Sequence, residues 1–137
     1  MRQCSLFLSI FVAVFSVSTA ASADQKLQED FREYLIEETL KDVLELNRPE
    51  FASSLAELEC QYQSEQADLT MDFLRQGMTL DEIMASNTAA GMPTIVEEFI
   101  GRKTSTTEIN STSKAELVLE VAESCQRAAV AIIADNP

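Results

Sequence analysis

Cys60 and Cys125 are the side chains of this sequence best placed to do chemistry, and the chemistry their setting favours is a single crosslink. Each falls in the middle of an expected helix and has alanines on its own face. Ala56 and Ala67 accompany Cys60, and Ala122 and Ala129 accompany Cys125. Small side chains let two helix backbones approach, and a disulfide needs Cα atoms only ~5.5–6 Å apart, closer than ordinary helix packing. In an oxidising compartment two cysteines have one intramolecular pairing open to them. A redox-active pair would use closely spaced cysteines beside basic groups or a helix start. These two are distant in sequence, mid-helix, and surrounded by alanine and acid.

Other reactive constellations are missing. The chain has no histidine and no tryptophan, which removes the commonest general base near neutral pH, the usual serine triad and the commonest zinc or copper ligand. Carboxylates occur in pairs at Glu37-Glu38, Asp81-Glu82 and Glu97-Glu98. Adjacent residues on a helix point about 100° apart, so these pairs do not form a facing acid–base dyad. No alternating-acid calcium loop, glycine-rich phosphate loop or dinucleotide fingerprint occurs. The expectation is a protein without catalytic residues, metal or cofactor.

Methionine is the remaining chemical feature. Met71, Met78, Met84 and Met92 fall in one stretch; methionine fills irregular gaps and also lines adaptable grooves. With Ile95 and Phe99 they form the candidate binding surface for a partner helix or an apolar ligand. Copper binding through the thioethers would need closer spacing.

The elements that must carry these residues begin after a leader. Arg2, the apolar run Leu6 to Val17, and the small residues Ala21-Ser22-Ala23 make Met1 to Ala23 a secretory signal peptide. Cleavage there places Asp24 at the mature N-terminus and removes Cys4, which precedes the apolar run. Residues 24–137 then form one domain, large enough to bury a core without metal. Losing Arg2 leaves nine basic residues against 23 acidic ones, a formal charge of −14. Such a surface repels phosphate backbones and anionic membranes. No later stretch is apolar and long enough to span a bilayer.

Proline and glycine are scarce, and the periodicity is helical throughout. A first helix is expected from about Gln25 to Asn47, with Leu27, Phe31, Tyr34, Leu35, Leu40, Val43 and Leu44 on one side. Pro49 stops it or opens the second helix, Glu50 to Gln76. That helix carries two apolar stripes: Phe51, Leu55, Leu58, Tyr62, Leu69 and Phe73 on one, and Ala52, Ala56, Cys60, Ala67, Met71 and Leu74 on the other. Neighbours on both stripes would make it the central helix. Gly77 ends it as a left-handed cap. Thr79 and Glu82 have capping-box spacing and start a short third helix that runs to Gly91. Thr94 and Glu97 repeat the signal for a fourth. The polar segment Thr104 to Ser113 is the longest loop and carries Asn110-Ser111-Thr112, a glycosylation acceptor if the source is eukaryotic. Ser113 and Glu116 open a final helix, Lys114 to Ala134, whose inner face is Val118, Val121, Ala122, Cys125, Ala129, Ile132 and Ile133.

The expected fold is all-α, a small single-domain bundle of about five helices, two or three long and two short, with one interhelical disulfide. The expected role is that of a non-catalytic exported protein, periplasmic or secreted, that binds another protein. A basic partner would suit the acidic surface. Two alternatives belong to other classes. The gross plan resembles that of the small acid-activated periplasmic chaperones, with no matching motif around either cysteine. The other is a carrier of a small apolar ligand, against which the alanine-rich stripes argue by drawing helices close.

Overall fold

A computed structural model describes residues 25–104 and 113–136. The expected leader with its cleavage site and the candidate acceptor Asn110 lie outside the described residues. Every element among the described residues is helical. α1 covers residues 25–34 and runs into a π-helical turn, Leu35–Thr39; then come α2 (Lys41–Glu45), α3 (Pro49–Arg75), α4 (Leu80–Ala89), α5 (Ile95–Lys103) and α6 (Lys114–Asp135).

The first expected helix is therefore broken, and the reason lies in its apolar spacing. Leu27, Phe31 and Leu35 step by four, but the next core residue, Leu40, follows Leu35 by five. In a regular α-helix five residues turn through about 500°, which leaves Leu40 roughly 140° away from Leu35. The π turn takes up the extra residue, closed by the Leu40 N–H donating to the Leu35 carbonyl at 2.7 Å. Leu27, Phe31, Leu35 and Leu40 are all fully buried as a result.

Three helix ends use one device. α2, α3 and α4 stop at a residue with positive φ: Asn47 at 53°, Gly77 at 98° and Gly91 at 73°. At each, two N–H groups reach back to carbonyls the helix leaves open, as with Met78 to Phe73 and Gly77 to Leu74, both at 3.1 Å. Pro49 opens α3 as its first residue, where its missing N–H costs nothing.

The start signals fare unequally. The Thr79–Glu82 box forms in both directions: the Glu82 N–H donates to Thr79 Oγ1 at 3.2 Å, and the Thr79 N–H donates to Glu82 Oε2 at 2.8 Å. At Ser113 the hydroxyl accepts from the Glu116 N–H at 3.3 Å. The Thr94–Glu97 box does not form. Glu97 is turned into the protein to meet Asn87 of α4, and Thr94 Oγ1 donates to Glu98 instead.

α3 packs against α2, the π turn, α4, α5 and α6, so it is central. At about 1.5 Å per residue its 27 residues make a rod of roughly 40 Å. Its partner along most of that length is α6. Between them Cys60 and Cys125 are joined, with an S–S distance of 2.06 Å and a Cα–Cα distance of 5.5 Å. Ala56, Ala67, Ala128 and Ala129 are buried on these two helices, which is what so close a backbone approach requires. Phe31 of α1 and Phe99 of α5 complete the core, each side chain worth about 1.5–3 kcal/mol of burial. On α6 the buried face is rotated from the expected one: Leu117, Ser124 and Ala128 are inside, while Val118, Ala122 and Ile133 are half-buried. The ion pairs Arg32–Asp135 and Lys103–Glu120 tie α1 and α5 to α6, so this helix has more than one neighbour to satisfy.

Candidate functional site

The six residues of the candidate surface do not make one surface. Met71 and Phe99 are fully buried core residues; Met71 lies on the same inward line of α3 as Cys60, and Phe99 faces inward from α5. Met78 is exposed at the end of α3, Met84 is half-buried on α4, and Ile95 is half-buried at the start of α5. Met92 is half-buried too, and its sulfur accepts a hydrogen bond from the Tyr62 hydroxyl at 3.1 Å.

α4 is lightly held. Ile83 is its buried apolar residue. Leu80 reaches Gly101 so closely that a Cβ there would come within 2.5 Å of Leu80 Cδ2. The Asn87 amide donates to Glu97 Oε1, and Glu97 Oε2 is buried without a hydrogen-bond partner. Burial pushes the Glu97 carboxyl above its ordinary value, with the Asn87 hydrogen bond opposing. This is an uncomfortable place for a charge.

The larger departure concerns the other stripe of α3. The alanine–cysteine stripe is buried as expected, joined by the polar Gln63 and Thr70. The stripe of large side chains is covered only in part. Phe51, Leu55 and Leu58 are 52%, 36% and 65% exposed; Leu69 is exposed further along, and Tyr62 and Phe73 are half-buried between and beyond. Leu46, just before α3, is exposed as well. The geometric reason is that α3 meets its neighbours on both sides of the small-residue line, where Gln63 and Thr70 can be tolerated. That arrangement leaves the bulky line facing outward. The spacing of these residues was visible in the sequence; which of the two lines a neighbour would cover was not.

Two of the concave features bear on the site, one remote from α3 and one along it. One, of about 330 Å³, lies between α1 with its π turn and the start of α5. Asp30, Glu33, Glu37, Glu38 and Glu98 ring it, with Tyr34 and Ile95 in its wall. The Tyr34 hydroxyl is pushed up to about 12, first by burial and then by the neighbouring Glu59 carboxylate. The other, of about 260 Å³, lies over the disulfide between α3 and α6, with Ser53, Ala56, Ala129 and Ile133 among its lining residues.

Among the described residues no three His, Cys, Asp or Glu side chains gather into a metal-binding group. No helix of the described residues is long and apolar enough to cross a membrane. Comparison with known proteins gives no relative to lean on: no protein-family model, no curated protein and no solved structure matches this chain.

Proposed function

We propose that this is an exported, non-catalytic protein that acts by binding another protein, and that the uncovered stripe of α3 is its contact surface. The observation that supports this is the line of Phe51, Leu55 and Leu58, exposed on a helix whose other apolar line is fully buried. Apolar side chains scattered singly over a surface carry no message, but aligned ones on a rigid element mark interaction sites. The disulfide makes α3 such an element. The leader and the oxidised cysteines belong together in a compartment outside the cytoplasm.

Affinity capture from that compartment tests the reading with two double variants. Leu55→Asp/Leu58→Asp places charge on the stripe and is expected to abolish capture of the partner that the wild type retains. Met84→Asp/Ile95→Asp marks the α4–α5 edge and is expected to leave capture intact. The reverse pattern would move the contact surface to that edge.

The acid-activated chaperone is the one alternative that the same stripe also supports, since exposed apolar surface serves client binding. Glu97 argues in the opposite direction. Its raised pKa makes the α4–α5 packing more comfortable as pH falls, whereas such a chaperone should loosen. Aggregation assays of a model client at neutral and low pH separate the two.

A further inference from the structure

We infer that the partner presents an amphipathic helix whose flanks are basic, laid along the uncovered line of α3. This deepens the protein-binding reading and rests on it. The shape comes first. Phe51, Leu55 and Leu58 step by four and three, and Leu69 continues the line three turns on. At about 1.5 Å per residue the line from Phe51 to Leu69 runs roughly 27 Å, with Tyr62 half-buried between Leu58 and Leu69. A ridge at this spacing is what the grooves of another helix accept.

Charge supplies the second half. Glu50 and Glu57 are exposed on α3 seven residues apart, which sets them within about 20° of each other beside the ridge, and exposed Glu65 lies on the same side between them and the ridge. Near its start, the guanidinium of Arg48 lies over the Phe51 ring at 5.5 Å, so one face of that ring already carries a cation of this chain. A second copy of this chain would bring the same carboxylates to the same seam, and an anionic membrane would meet them with like charge. A helix with lysine or arginine beside its apolar line meets both the ridge and the flank favourably.

The test uses the full disulfide-bonded protein and three labelled peptides read by fluorescence anisotropy. One is a leucine–lysine amphipathic helix, one has every lysine replaced by glutamate, and one keeps the lysines but scrambles the apolar line. The leucine–lysine peptide is expected to bind, and to weaken about tenfold or more against Leu55→Asp/Leu58→Asp. Glu57→Gln/Glu65→Gln, which leaves the ridge intact, should weaken it about threefold at low salt, with the difference shrinking as salt is added. Equal binding of the scrambled or the glutamate peptide would overturn the inference, as would indifference to both double variants. If the native partner is lost with the Leu55/Leu58 variant while the leucine–lysine peptide never binds, the contact surface stands and the basic helix falls. If that variant still captures the partner, the contact surface itself falls.

Discussion

The α3–α6 seam and the α4–α5 edge solve the same problem with opposite means. At the seam two long helices meet over alanines and are crosslinked between Cys60 and Cys125. At the edge the short α4 is held against α5 and the core by Ile83, by Leu80 against Gly101, and by a hydrogen bond to a half-satisfied buried carboxylate. The contrast teaches where stability is stored. Losses at the seam should be felt by the whole domain, while losses at the edge should stay local, in the way proteins open from their least-packed segments.

The strongest way to break the contrast is to remove the crosslink. The cysteines are 65 residues apart in sequence, and closing a loop of that length contributes about 4 kcal/mol in the chain-entropy model. Cys60→Ala/Cys125→Ala should lose about that much in denaturant unfolding, a large share of a small domain's stability. A loss under ~1 kcal/mol would mean the seam holds by packing alone. Next in size is Ala67→Leu, which forces a larger side chain into a fully buried site on α3. It should cost about 1–3 kcal/mol and slow reoxidation of the reduced protein.

At the edge the expected effects are smaller. Gly77→Ala meets no steric obstacle but must hold φ near 98°, at a cost of about 1–2 kcal/mol. Thr79→Ala removes the hydroxyl that caps α4, about 1 kcal/mol, and should raise amide exchange in α4 while leaving α3 and α6 unchanged. Equal acceleration in all three helices would merge the two regions into one cooperative unit.

Glu97 sharpens the comparison through pH. Its carboxyl is raised by burial, so the folded protein holds that proton more tightly than the unfolded chain does. The stabilising contribution is complete below the ordinary glutamate value of 4.5 and is lost as pH climbs through the raised folded value. Glu97→Gln cannot ionise, so its stability should lack this decline. Urea midpoints measured from pH 4.5 to 8 check it, and parallel curves for the two proteins would contradict the assignment.

Much of the architecture was legible because its signals are local. The turns at Gly77 and Gly91, the Thr79–Glu82 box and the bounds of α3 to within a residue follow from short-range rules, and the Cys60–Cys125 pairing from two mid-helix cysteines each set among alanines. What escaped was tertiary in origin. The five-residue step from Leu35 to Leu40 concealed a π turn, since regular steps on either side leave one irregular interval inconspicuous. Glu97 had the spacing of a cap, but Asn87 drew it inward. The open side of α3 escaped for a similar reason: two apolar lines on one helix look alike in sequence, and only the position of the neighbouring helices decides which is buried. Met71 and Phe99 consequently went to the core, and Phe51, Leu55 and Leu58 to the outside.

The account rests on α3 dividing its labour between a locked line and an open one. Leucine-methyl NMR of the disulfide-bonded protein, titrated with the leucine–lysine helix, tests this most directly. The prediction is that the methyl signals of Leu55, Leu58 and Leu69 shift together and saturate, while those of Leu27, Leu40 and Leu117 in the core stay fixed. Shifts confined to Leu80 and the α4–α5 edge, with the α3 signals unmoved, would contradict it.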